Sequence, residues 1–190
     1  MNIHKLEEAL IEYCSPTLAG IKTASLFSYE YSDKKIMMAE VRAVNHKFVK
    51  KGIYLIPVMG EKNRFLLYVY RPRLLEQDLK NDEISALLSA IGYEVDNPCA
   101  CVRYLRDRFE GMKCNQEFPH EIGAFLGYPP EDVKGFIRNK GEYYKCVGNW
   151  KVYGDEKEAL NMFKKYKKCT MDYVARYKTG NSLESLVVSA

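Results

Sequence analysis

"ASLFSYEYSDKKIMMAEVRAVNHKFVKKGIYLIPVMGEKNRFLLYVY", residues 24–70, changes its hydrophobic period twice, and the fold turns on those changes. Residues 24–31 form a β-like run. Over 33–51 the apolar side chains recur at helical spacing, with Met37, Val41, Val44 and Phe48 on one face and Gly52 as the stop. Residues 53–59 return to strand, 60–64 turn, and "FLLYVY" at 65–70 is apolar enough to be covered on both faces. A long helix between the first two strands predicts a right-handed βαβ crossover with those strands parallel. The expected fold is therefore α+β: a small mixed β-sheet with a βαβ unit, covered by several helices.

Outward from this segment, residues 1–13 read as an amphipathic helix with Ile3, Leu6, Leu10 and Tyr13 in one stripe, ended by Cys14-Ser15-Pro16. His4, Glu7, Glu8 and Glu12 within it are wrong for a signal peptide, and no apolar run approaches about 18 residues. A cytoplasmic protein with no membrane contact is expected. One or two short helices follow over 72–91, then one opened by Asn97 and Pro98 with Val102, Leu105, Phe109 and Met112 inward. Gly148-Asn149 between "YYKCV" and "WKVY" predicts a two-residue hairpin turn. Asp155 then caps a long helix to about residue 178, with Leu160, Phe163, Tyr166, Thr170, Tyr173 and Tyr177 along one side. Asn181 with Glu184 resembles a capping box for a last short helix.

The chain has 190 residues, 47% hydrophobic and 28% charged, with no linker-like or low-complexity tract. One domain over 1–190 is expected, since a chain this long removes roughly 70% of its unfolded surface from water. A net charge of +4 permits an acidic partner without requiring one. Six cysteines (Cys14, Cys99, Cys101, Cys114, Cys146 and Cys169) are expected as reduced thiols. Cys99 and Cys101, two apart on a helix, point to different sides, and the histidines (His4, His46 and His120) are scattered, so no structural metal is expected. Neither a GxGxxG after a strand nor a GxxxxGK[ST] occurs, which argues against dinucleotide and P-loop sites.

"EFPHEIGAFLGYPPEDVKGFIRNKG", 117–141, has the spacing of a helix-turn-helix: Ile122, Phe125 and Leu126, then Gly127, then Pro130 opening a helix with Val133, Phe136 and Ile137. A DNA reader inserts the start of its second helix, and here that start is Pro129, Pro130, Glu131 and Asp132. Two carboxylates there oppose phosphate, with only Lys134, Arg138 and Lys140 to compensate. A structural helical hairpin is the expectation, with nucleic acid disfavoured.

Three motifs, "CSPTLAGIKTASLFS" from Cys14, "EFPHEIGAFLGYPPEDVKGFI" from Glu117 and "GNWKVYGD" from Gly148, together resemble the domain of unknown function 3793 family of anaerobic bacteria. The resemblance covers nearly the whole chain. It implies a place beside flavodoxin and ferrous-iron transport, hence iron or redox physiology, and supplies no catalytic residues. A ligand-binding or accessory protein of iron or redox metabolism is the leading expectation, with a flavodoxin-like or small-molecule partner. Its cofactor and oligomeric state are left open.

The site expected for it gathers Lys22, Glu121, Tyr144, Trp150 and Tyr153 near Cys14 and His120. Tyr143, Tyr144, Trp150 and Tyr153 cluster on the hairpin, where they either pack across the strands or stack on a flat ligand such as flavin or porphyrin. A second expectation is a thiol-dependent enzyme with Cys14 as nucleophile and His120 as base. In it Ser15 caps a helix starting at Pro16, and that helix end and Lys22 favour the thiolate; a buried, inert Cys14 is the alternative. A third is a DNA-binding regulator acting through 119–140. "KKYKK" at 164–168 reads either as an acidic-partner site or as the solvated face of a helix.

Overall fold

The computed structural model describes residues 3–61, 63–112 and 117–189, the side chains of Ile3 and His4 excepted, so Cys114 and the His4 imidazole lie outside the described residues. The chain, expected as one domain, divides into two compact units, Met1–Leu74 with Lys168–Ala190, and Leu75–Lys167.

The first unit contains α1 (Ile3–Leu18), β1 (Ala24–Glu30), α2 (Lys34–Phe48), β2 (Tyr54–Glu61) and β3 (Arg64–Tyr70). The α+β class is as read from the sequence. The pairing differs: the order is β1-β3-β2, with both neighbours antiparallel to β3. β1 and β2 therefore share a direction, as a crossover through α2 requires, but β3 lies between them. The reason is local, because the short turn after β2 lets β3 fold straight back, and antiparallel pairing needs no long connection. α2 is capped by Asp33, whose side chain accepts from Ile36 N at 3.3 Å, and buries Met37, Val41, Val44 and Phe48. Asn45 does for the edge of β2 what a neighbouring strand would do. Its Nδ2 donates to Leu55 O at 2.7 Å and its Oδ1 accepts from Leu55 N at 2.8 Å. Leu6, Leu10, Phe27, Leu55, Leu67 and Val69 belong to the core they enclose.

α1 does not stop at Cys14; it runs through Pro16 to Leu18. Proline removes the hydrogen bond to the carbonyl four residues back, here Glu12, which lies on the exposed face where water can replace it. The buried stripe continues as Leu6, Leu10, Cys14 and Leu18, while Tyr13 is exposed. The helix end is closed by the buried Arg71, which donates to Thr17 O at 2.6 Å and to Leu18 O and Val188 O at 2.7 Å each. A cation at the C-terminal carbonyls of a helix is the favourable polarity.

The second unit takes in α4 (Asp82–Ser89), α5 (Pro98–Gly111), α6 (Ile122–Phe125), α7 (Pro130–Arg138), β4 (Cys146–Val147) and β5 (Lys151–Val152). The unit boundaries fall inside α3 (Pro72–Leu79) and α8 (Glu156–Lys178). Asn97 caps α5 as read, accepting from Ala100 N at 3.1 Å. On α8 the expected buried Leu160 is exposed and its neighbour Ala159 is buried. The cap of the last helix, α9 (Leu183–Leu186), is Ser182, one residue beyond the expected Asn181, whose amide instead donates to Arg176 O at 2.9 Å. Lys164, Lys165, Lys167 and Lys168 are exposed on α8.

Candidate functional site

The helical hairpin of the second unit is not a helix-turn-helix of ordinary proportions. α6 is a single turn of four residues, buried throughout, and the chain reverses at Gly127 with φ +70°, a left-handed position suited to glycine. α7 then presents Glu131 to solvent but buries Asp132.

Asp132 is the centre of this unit's architecture. Its Oδ2 accepts from Trp150 Nε1 at 2.6 Å, and its Oδ1 accepts from the backbone N–H groups of Tyr153 at 2.7 Å and Gly154 at 2.8 Å. A buried carboxylate tolerates desolvation only with such partners. The bonds draw the β4–β5 loop onto α7. That loop has three residues, since Val147 pairs with Lys151 and Gly148 N donates to Trp150 O at 3.0 Å. Trp150 leaves the strand because its ring gains more inside: it stacks on Tyr128 with centroids 4.7 Å apart and meets Phe163 edge-on at 4.6 Å. Gly148 is required there by close approach, as a methyl group would run into the Phe163 ring.

Beside this latch a cleft of about 300 Å³ opens, lined by Phe118, His120, Tyr128, Phe136, Trp150 and Lys151 among others. His120 is exposed and packs on Phe118 at 5.4 Å and on Phe136 at 5.1 Å. Lys151 Nζ donates to Gly141 O at 2.7 Å and lies 4.8 Å from the Tyr144 ring centre and 5.8 Å from that of Phe136. The cleft thus combines aromatic walls with two nitrogen-bearing side chains, His120 and Lys151, on the Phe136 ring.

Of the residues expected to form a site, His120 and Trp150 line this cleft, and Tyr144 reaches it through Lys151. Glu121 is buried and committed elsewhere, accepting from Arg108 Nε at 2.9 Å and Tyr93 Oη at 3.0 Å. Burial, with Glu121 adding to it, pushes the Tyr93 hydroxyl far above its ordinary range. Tyr153 gives its backbone N–H to Asp132, and its ring lies against Gly135, where an added methyl would clash. Its hydroxyl is buried without a hydrogen-bond partner among the described residues.

Cys14 and Lys22 belong to the first unit, His120 to the second. Ser15 opens no helix; its hydroxyl donates back to Ile11 O, and Cys14 sits one turn before the C-terminal end of α1. The dipole there opposes a thiolate instead of favouring it. Burial pushes the Cys14 thiol up to about 12, against the opposing pull of Lys22 and a hydrogen bond with Ser25. Burial likewise lowers Lys22 to about 8. Sequence reasoning missed Asp132, Lys151 and Phe136. Asp132 read as a first-turn helix acid, and only its three distant donors identify it as an anchor.

Among the described residues no three His, Cys, Asp or Glu side chains are grouped to hold a metal ion, and no helix is long and apolar enough to cross a membrane. No curated protein and no solved structure matches the chain. A family model described as Protein of unknown function (DUF3793) matches residues 10–187, nearly the full length, and the chain belongs to that family.

Proposed function

We propose that this is a binding or accessory protein of iron or redox metabolism, whose second unit takes a small planar ligand in the Trp150 cleft. One observation carries the binding half: a concave site of about 300 Å³ with Phe118, Tyr128, Phe136 and Trp150 in its walls and polar groups at His120 and Lys151. That volume is at the low end of ligand sites and suits one ring system, with the rest of the molecule outside. The exposed Phe118 and half-buried Phe136 offer ring surface to a planar ligand, with the stacked Tyr128–Trp150 pair behind them. The iron or redox half rests on the family resemblance. A flavin ring suits both halves.

The thiol-enzyme reading draws no support from Cys14, whose buried thiol is held protonated at neutral pH. The DNA reading draws none from α7, where Asp132 is spent on Trp150 and Lys134 is paired with Glu83 at 2.6 Å.

The chain has one tryptophan, and it lines the cleft, so its fluorescence reports on this site alone. Titration with riboflavin, corrected for inner-filter absorption, is expected to quench Trp150 saturably, and Phe136→Ala to weaken binding. A linear, collisional quench unchanged by Phe136→Ala would overturn the proposal.

A further inference from the structure

We propose that the ligand of this cleft carries an oxyanion, a phosphate or carboxylate, and that Lys151 receives it. The inference rests on the cleft being a ligand site. Lys151, the first residue of β5, lines the same cleft as Phe118, Phe136 and Trp150, so a ligand held between those rings lies on the ammonium's side of the hairpin. The ammonium is held in place before any ligand arrives. Gly141, in a left-handed turn at φ +78°, offers its carbonyl at 2.7 Å, and the faces of Tyr144 and Phe136 attract the charge from 4.8 and 5.8 Å.

These partners leave the charge uncompensated. An ammonium has three donors and Gly141 takes one, while aromatic faces supply attraction without a counter-ion. Among the described residues no carboxylate forms an ion pair with Lys151. The carboxylate lining the cleft is Asp132, whose two oxygens already accept three N–H groups. A half-buried cation in an aromatic cleft, without its own anion, is one half of a charge-assisted pair. His120, packed on the same Phe136 ring, supplies a second polar side chain to the cleft wall. Most lysines of such a surface point into water; this one is turned inward over two rings.

Riboflavin and its 5′-phosphate, flavin mononucleotide, share one ring and differ in the oxyanion, so the pair isolates the charge. Both are titrated against Trp150 fluorescence in the full chain and in Lys151→Met and Lys151→Arg, each checked for native circular dichroism. The mononucleotide is expected to bind about tenfold more tightly than riboflavin. Lys151→Met should bring the ratio of the two affinities down to about one, and Lys151→Arg should retain most of the preference. Equal affinity in the unaltered chain overturns the inference and leaves the planar-ligand reading standing. A preference that survives Lys151→Met overturns the assignment to Lys151. Saturable binding of neither compound overturns the reading and the inference together.

Discussion

Asp132→Asn changes one atom of the latch and separates its parts. The Asn oxygen can still accept from Tyr153 N and Gly154 N, but its NH2 then faces the Trp150 N–H, donor against donor, where 2.6 Å separated donor from acceptor. The indole donor is buried, and among the described residues Asp132 is its hydrogen-bond partner. A charge-assisted bond is lost and a buried donor orphaned, which together cost about 2–4 kcal/mol. Asp132→Ala orphans all three donors and should cost about 3–5 kcal/mol. Urea unfolding followed by circular dichroism gives these differences, and the native emission of Trp150 gives their cause. The indole is 7% exposed, so its emission should move to the red in both variants as the loop lifts from α7. In a double-mutant cycle, Trp150→Phe removes the opposing donor, and Asp132→Asn should cost less in that background by at least about 1 kcal/mol. A loss below about 1 kcal/mol for Asp132→Ala, with unchanged emission, would refute the reasoning.

Lys22 and Cys14 give opposite pH dependences. Lys22 falls from 10.5 to about 8 on folding, so between these values the unfolded chain binds more protons and stability rises with pH, by at most about 3 kcal/mol. Cys14 rises from 9.0 to about 12, so over that range stability falls. Urea unfolding should therefore show a rise from pH 8 to 9, near cancellation to about 10.5 and a fall above it; Lys22→Met should be more stable at pH 7 and lack the rise, and a variant that keeps it contradicts the assignment. Iodoacetamide at pH 8, read by peptide mass spectrometry, should label exposed Cys99 readily and Cys14 only in denaturant; labelling of native Cys14 at a free-thiol rate would overturn its burial and restore the thiol-enzyme reading. Gly148→Ala puts a methyl against Phe163 and should cost about 1–3 kcal/mol with a red shift of Trp150. A silent Gly148→Ala would mean that the ring approach does not hold the loop.

The elements of the first unit were legible because each carries its own period: the face of α2 and the apolar run of β3 appear where the sequence put them. Their pairing was not, since βαβ spacing says that β1 and β2 share a direction but not whether another strand enters between them. Pro16 misled for a related reason. A proline frees and crowds the carbonyl four residues back, and the helix tolerates it here with that carbonyl, of Glu12, on the exposed face. In the second unit Trp150 and His120 were visible as candidates, and both line the cleft, whereas the Tyr153 ring lies against Gly135. Lys151 and Asp132 were invisible because their meaning lies in partners 10 to 22 residues away, Gly141 for one and Trp150, Tyr153 and Gly154 for the other. Cys14 drew attention through a helix start that does not form.

The single indole N–H allows a direct test of the central claim, that the Trp150 cleft is a ligand site. In a ¹⁵N-resolved proton spectrum it should give one resonance, shifted downfield by its bond to Asp132. On titration with flavin mononucleotide the account predicts that this resonance moves saturably under the ring current of a flavin bound in the cleft, with the amides of Gly148 and Lys151 moving in step. Saturable binding that shifts other amides while these three stay still would contradict it.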